Sequence, residues 1–371
     1  MSALKGLSLF ASGGISELYL HEIKDKINIV LANELLPNRC QFYKHTHNNN
    51  IICGNICDDS IYKLIIDNSK ELGVDFILAT PPCQGMSKAG KMKFDDPRNI
   101  LFLKILSIAF ELNPKYILIE NVPEFIKTNF LTEEGDVKPI MQHIFDVLGE
   151  NYNINFDILN AQNFEVPQSR KRAILFISRK DMPEWKIPSI ITDNDSLITV
   201  KQVIGHLPSL ESKQTCKDVL DDNALSSLHP NIINWHVALK HNDNHILWLS
   251  HTPTGKSAFQ NTIHFPKKDG RKIKGFSTTY KRIDWDKPSP TITMSNGSIS
   301  SQNNVHPGYL NTDTLLWNNA RALTCYELML LTSIHPEFNI PSFTTNKLFR
   351  DLLGECVPPK FMFHLINSLP I

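Results

Sequence analysis

Short apolar runs at residues 7–10, 27–33, 74–79, 116–119, 154–159 and 173–177 recur through the first half of the chain. Amphipathic stretches separate them. Across 99–112, for example, Ile100, Leu103, Leu106 and Phe110 return at helical spacing. Strands alternating with helices predict parallel βαβ units in a doubly wound α/β sheet. Near-continuous apolar strands further predict helices on both faces. After residue 180 the rhythm stops. Pro183, Pro188, Pro208, Pro230, Pro253, Pro266, Pro288, Pro290 and Pro307 punctuate irregular segments rich in Asn, Asp and Ser. This pattern predicts a second, loop-rich domain, with helical patterning returning near Arg321. The expected organisation is an α/β domain over 1–185, a smaller domain over 186–341, and a segment over 342–371 that returns to the first. The Asn-rich patch at 47–50 reads as a surface turn.

Composition narrows the class. With 371 residues, 42% hydrophobic and 20% charged, the chain has material for a sizeable core and is not a disordered polymer. No run approaches the roughly 20 apolar residues of a membrane-spanning helix. The apolar run after Lys5 breaks at Gly13-Gly14, which disfavours a secretory signal. Seven scattered cysteines suit a reducing compartment better than a disulfide scaffold. A soluble cytoplasmic protein is expected. Charge adds little, since 38 Lys and Arg balance 38 Asp and Glu. Locally, residues 256–287 hold Lys256, Lys267, Lys268, Arg271, Lys272, Lys274, Lys281, Arg282 and Lys287 against Asp269, Asp284 and Asp286. A run of this kind is ordinarily a solvated face, and is otherwise a footprint for nucleic acid.

Ligands of open α/β sheets bind beyond the carboxyl ends of the strands, so polar residues there are read together. The first run leads into Phe10-Ala11-Ser12-Gly13-Gly14-Ile15-Ser16-Glu17, a small-residue turn that lets a ligand approach the backbone. The second ends at Glu34, where a carboxylate would accept ribose hydroxyls. Any nucleoside cofactor, nicotinamide included, fits these two features. The next turn, Thr80-Pro81-Pro82-Cys83-Gln84-Gly85, holds a cysteine on a stiff loop. Its thiolate is a candidate nucleophile, although most cysteines are simply buried. Glu120-Asn121-Val122 ends the following strand, and Gln168-Ser169-Arg170-Lys171-Arg172 precedes the last. Cys53 and Cys57, or His45 and His47, lack the partners that zinc-like spacing requires; no metal is expected.

In this order the segments resemble the cytosine-C5 DNA methyltransferase family. Arg321-Ala322-Leu323-Thr324-Cys325-Tyr326-Glu327 and Gly354-Glu355-Cys356-Val357-Pro358-Pro359 are similar to its last two motifs. The resemblance covers 7–180 and about 320–365. It implies a Rossmann-like, S-adenosylmethionine-dependent fold with a target-recognition domain at 186–341. It implies addition of Cys83 to carbon 6 of a flipped-out cytosine and a contact from Glu120 to ring nitrogen 3. Arg172 would reach the exocyclic oxygen and orient Glu120, and Arg170 would support the catalytic loop. Implied cofactor contacts are Phe10, Ala11, Gly14, Ile15, Glu17, Glu34, Leu35, Asn55, Ile56, Pro82, Leu103, Glu355 and Cys356. Implied DNA contacts are Gln84, Ser87, Lys88, Lys91, Thr291 and Gln302. Base-reading candidates lie within 278–282 and 290–304, where Thr291, Thr293, Asn296, Gln302 and Asn303 could hydrogen-bond bases, each of them ordinarily a turn residue. Asn55 and Glu355 stand where the family usually has Asp and Asn, which puts cofactor affinity rather than identity in question.

The implied setting is a bacterial, nucleoid-associated monomer acting on duplex DNA, either beside a cognate restriction endonuclease or as an orphan methylase. A tRNA cytosine methyltransferase shares the core, but its Cys-Phe-Thr signature is missing from 180–320. An inactive DNA-binding homologue would be expected to lack Cys83, Glu120 or Arg172, and all three are present.

Overall fold

A computed structural model describes residues 3–47, 50–82, 101–132, 135–193 and 195–371. Two compact units emerge, one formed by 1–160, 171–190 and 361–371, the other by 161–170 and 191–360. This division differs from the expected one at both ends of the second domain. A ten-residue excursion at 161–170 belongs with the later segment, and the return to the first unit begins only at Phe361.

The first unit is built on strands β1 (Leu4–Leu9), β2 (Ile27–Glu34), β3 (Asn50–Cys53), β4 (Phe76–Ala79) and β5 (Tyr116–Asn121). A small antiparallel pair, β6 (Asn129–Leu131) and β7 (Val137–Pro139), precedes β8 (Tyr152–Asn160). The two-residue β9 (Gln168–Ser169) lies in the second unit, and β10 (Lys171–Arg179) completes the first. The main sheet has seven strands in the order β3-β2-β1-β4-β5-β10-β8. The first five run parallel, whereas β10 is antiparallel to both β5 and β8. The reversal has a local cause, because the 161–170 connection lacks the dozen or more residues that a parallel crossover needs. β3 escaped the apolar pattern, since it is a four-residue edge strand with both ends exposed. The strand order doubles back between β1 and β4, which makes their carboxyl ends the switch point of the fold.

Among the described residues, four α-helices connect these strands: α1 (Pro37–His47), α2 (Asp59–Leu72), α3 (Leu101–Leu112) and α4 (Ile140–Leu148). α2 stops where Gly73 adopts φ 69°, with Gly73 N–H donating to Lys70 and Val74 N–H to Ser69. The α2, α3 and α4 layer buries Ile65, Ile66, Phe102, Ile105 and Ile144 against Ile77, Ile117, Ile119 and Leu175 of the sheet. Trp185 packs against Phe76, Tyr116 and Phe176, and its indole N–H donates to Ser368 at 2.9 Å.

The second unit contains little long secondary structure. Its helices are α5 (Val200–Ile204), α6 (Asp222–Ser226), α7 (Pro230–Trp235), α8 (Asp243–Ser250), α9 (Cys325–Leu331) and α10 (Asn346–Glu355); α11 (Pro359–Asn367) then leads back to the first unit. β11 (Lys267–Lys268) and β12 (Arg271–Lys272) form a hairpin, β13 (Ser289–Pro290) pairs with β9, and β14 (Leu310–Asn311) pairs with β15 (Leu316–Trp317). Polar links replace the missing ladders. Arg282 is fully buried, and its guanidinium donates to the carbonyls of Leu249, His306, Trp317, Asn318 and Asn319. No described helix is long and apolar enough to cross a membrane.

Candidate active site

The turn after β1 takes an unusual backbone path. Phe10, Ser12 and Gly14 have φ of 60°, 49° and 74°, the left-handed region that non-glycine residues seldom enter. Two carbonyl contacts hold its start, with Ala11 N–H donating to Asn33 at 3.0 Å and Thr80 Oγ1 donating to Phe10 at 3.1 Å. Glycine at 14 answers two demands at once. Its φ disfavours a side chain, and a Cβ there would overlap the His47 ring and lie 2.7 Å from Tyr43 Cδ2.

Glu34 ends β2 beside this turn and is 6% exposed. Its Oε2 accepts Ser12 N–H and its Oε1 accepts Leu36 N–H, each at 2.9 Å. Two main-chain donors thus fix the carboxylate, leaving each oxygen a further lone pair. Glu17 behaves differently. It is buried, Ser8 Oγ donates to one oxygen at 2.6 Å, and Tyr43 OH donates to the other at 2.7 Å. Burial pushes its carboxyl up, against the lowering effect of His47 and of these two bonds. Glu17 therefore braces the turn from within, in place of the ligand contact expected of it. Among the other residues expected here, Leu35 is 57% exposed and Ile56 is in the core. Leu103 lies at the margin of that core. Asn55 uses its side-chain carbonyl to accept Cys57 N–H at 3.1 Å, and its amide to reach Asp58 at 3.3 Å.

A second group of polar residues gathers where β4 and β5 end and β10 begins. Arg172 Nε lies 2.8 Å from Glu120 Oε1, and the two side chains are 12% and 9% exposed. Strand register brings them together, since Ile174 pairs with Glu120 and Arg172 lies two residues back along β10. Arg172 Nη1 also donates to the Lys171 carbonyl at 2.7 Å. Next door, Asn121 Nδ2 donates to the Pro81 carbonyl at 3.2 Å, and its Oδ1 accepts Val122 N–H at 2.8 Å. Asn121 ties the end of β5 to the turn that continues through Pro82, a role the sequence hinted at only by its place beside Glu120. Cys83, Gln84, Ser87, Lys88 and Lys91 lie outside the described residues.

The family model for C-5 cytosine-specific DNA methylases matches residues 4–370. The chain belongs to that family. It is 40% identical to the Type II methyltransferase M1.HgaI of Avibacterium volantium over 99% of this chain and 98% of that protein. Identity is 29% to the Type II methyltransferase M1.HphI of Haemophilus parahaemolyticus, over 89% of this chain and 77% of that one. A crystal structure of Spodoptera frugiperda DNMT2 shares the fold, with TM-score 0.63 and 20% identity over 99% of each chain.

In this C-5 methylase the second unit explains why one motif has its spacing. Thr324 caps α9, accepting Glu327 N–H, while the Glu327 carboxylate accepts Thr324 N–H. The same carboxylate takes both terminal nitrogens of Arg321 at 2.8 Å, and all three residues are buried. Burial alone would raise Glu327, but Arg321 overrides it and holds the carboxyl well below the usual range. Burial pushes the neighbouring His236 and His306 down.

Several candidates for reading DNA sit elsewhere than expected. Arg282 and Asn296 are internal, Asn296 donating to the carbonyls of Thr293 and Arg350. Thr291 gives its hydroxyl to the Ser169 carbonyl at 2.8 Å. Arg170 is buried and donates to the carbonyls of Ile292, Gly354 and Glu355, so it fastens main chain within its own unit. Cys356 is half-buried, with its thiol on the Leu353 carbonyl at 3.5 Å. Gln302 remains exposed, as do Lys267, Lys268, Arg271 and Lys272 on the β11–β12 hairpin. That hairpin turns at Asp269-Gly270, with φ of 50° and 75°, the two left-handed positions of a tight two-residue turn.

Proposed function

We propose that this chain transfers a methyl group from S-adenosylmethionine to carbon 5 of cytosine in duplex DNA, as the modification enzyme of a restriction–modification system. Membership of the C-5 cytosine-specific DNA methylase family supports the chemistry. Similarity to two named Type II methyltransferases supports the setting. The observation that carries the residue assignment is the Glu120–Arg172 pair at 2.8 Å, at the mouth of the turn that leads to Cys83.

The cofactor turn suits the proposed ligand. A carboxylate pinned by the amides of Ser12 and Leu36 is positioned to accept two vicinal ribose hydroxyls, and the Gly14 turn admits a close backbone approach. Leu35 offers an exposed apolar face at the end of β2 for a purine ring. S-adenosylmethionine supplies an electrophilic methyl group when bound. The chain's own residues must make carbon 5 nucleophilic enough to accept it. Cys83 does so by adding as a thiolate at carbon 6, which gives carbon 5 enamine character. Glu120 meets ring nitrogen 3 and relieves the charge that develops there. Arg172 holds Glu120 in place and reaches toward the exocyclic oxygen. Removal of the carbon-5 proton and expulsion of the Cys83 thiolate then restore the enzyme. A stacked base is inaccessible to these groups, so the target cytosine is flipped out. The second unit is proposed to select the sequence, with the exposed β11–β12 hairpin on backbone phosphates.

Trapping tests this directly. With fluorine at carbon 5 there is no proton to remove, so the adduct persists. Duplex DNA carrying 5-fluorocytosine is expected to give a denaturant-resistant complex only when S-adenosylmethionine is present. Mass spectrometry should locate the base on the peptide containing Cys83, and Cys83→Ser should abolish the complex. An adduct on another cysteine, or full turnover by Cys83→Ser, would refute the assignment. Bisulfite sequencing of DNA from a methylation-free host expressing the chain identifies the target sequence.

A further inference from the structure

α1 begins just past Glu34 and ends at His47, so one helix connects the proposed ribose carboxylate to the glycine turn. His47 Nε2 lies 2.7 Å from the Gly14 carbonyl oxygen. A carbonyl only accepts, so Nε2 carries the proton. The same oxygen accepts Glu17 N–H at 3.0 Å. One helical turn earlier, Tyr43 stands on the same face of α1, its ring 4.7 Å from that of His47 and its hydroxyl on Glu17 Oε2. α1 therefore grips the turn at two points, the Gly14 carbonyl and the Glu17 carboxylate, and Ser8 on β1 holds the other oxygen of Glu17.

We propose that His47 is a positioning residue for the cofactor, acting through the Gly14–Ile15 peptide; this rests on the reading of that turn as the S-adenosylmethionine site. The peptide is planar and trans, so anchoring the Gly14 carbonyl also fixes the direction of the Ile15 N–H. That N–H meets no acceptor among the described residues. Glycine at a left-handed φ is the residue freest to rotate away from this geometry. His47 removes that freedom before the cofactor arrives, which lowers the ordering cost of binding.

The test is calorimetric titration of S-adenosylmethionine into the full chain and into its His47→Ala and His47→Gln variants, with KM and kcat measured in parallel. Glutamine can donate to the Gly14 carbonyl, whereas alanine cannot. His47→Ala is expected to weaken binding roughly 3- to 10-fold, the range for one hydrogen bond. The loss should fall on KM for the cofactor rather than on kcat or on KM for DNA. His47→Gln should recover affinity to within about 2-fold of the unaltered protein. Unchanged affinity in His47→Ala overturns the inference, as does a loss in His47→Gln equal to that in His47→Ala. Failure of the unaltered protein to bind S-adenosylmethionine instead overturns the functional reading, and this inference with it.

Discussion

Arg172 and Glu120 form a nearly buried pair, and removing one partner of such a pair costs far more than the net worth of the contact. Arg172→Ala should lower the single-turnover rate of methyl transfer by at least about 10-fold. Arg172→Lys should recover only part of it, because an ammonium keeps the charge but not the planar fork. A rate within 2-fold of wild type in the alanine variant, by roughly the same measure of transition-state loss, would place Glu120 under other control. Glu34 presents a separate question of affinity. Its Ser12 and Leu36 bonds hold the carboxylate ready for hydroxyls. Glu34→Ala should therefore weaken S-adenosylmethionine binding by on the order of 1–3 kcal/mol if both hydroxyls are served. Calorimetry reporting unchanged affinity would sink that assignment. The places of Glu34 and Glu120 at the ends of their strands were legible in the sequence, whereas the pairing of Arg172 with Glu120 followed from strand register. The role of Glu17 was not legible, because the same edge also contains residues turned inward to Ser8 and Tyr43.

At the level of elements, α9 is fastened by a cap and an ion pair that share one carboxylate. Glu327 accepts from Thr324 N–H and from Arg321 together, with no exposure to water beyond a trace. Arg321→Ala leaves this carboxylate buried without its counter-charge and should destabilise the protein by about 3–5 kcal/mol. Urea midpoints measure this, and the double replacement Arg321→Met with Glu327→Leu should cost less than Arg321→Ala alone. The spacing from Arg321 to Glu327 was visible as a motif. That it is a capping box joined to a buried pair was not, since a surface helix with the same residues would show the same letters. The β11–β12 hairpin is the opposite case. Its Asp269-Gly270 turn and flanking cations are local features, and they form the exposed hairpin that such a sequence dictates.

For the molecule as a whole, charge and pH act through these same groups. Burial pushes His241 down to about 4, and lowers His236 and His306 as well. An unfolded histidine titrates near pH ~6.5. Above that value both states are neutral and no stability is lost. Between about 6.5 and about 4 the unfolded chain binds protons that the folded one refuses, so stability falls as pH drops. Each such histidine contributes a slope of up to about 1.4 kcal/mol per pH unit. Urea midpoints at several pH values across this window should decline, and His241→Gln should make the decline shallower. An identical decline in that variant would assign the effect elsewhere. DNA affinity should respond to the hairpin. Neutralising Lys267, Lys268, Arg271 and Lys272 together should weaken binding to all sequences and flatten its salt dependence, because phosphate contacts carry no sequence information. A changed methylation site at full affinity would contradict that role.

The sequence by itself determined the alternation of strands and helices and the order of motifs that marks the family. These are short-range properties, set by side-chain periodicity and by turns of a few residues. Only the tertiary structure decided which polar residues turn inward. Arg282 and Asn296 read as surface cations and amides, yet packing encloses them and main-chain carbonyls satisfy them. Packing also assigned 161–170 to the second unit. His47 joined the Gly14 turn from 33 residues away. Such contacts depend on elements distant in sequence finding one another, and a burial pattern read along the chain contains no record of which partner arrives.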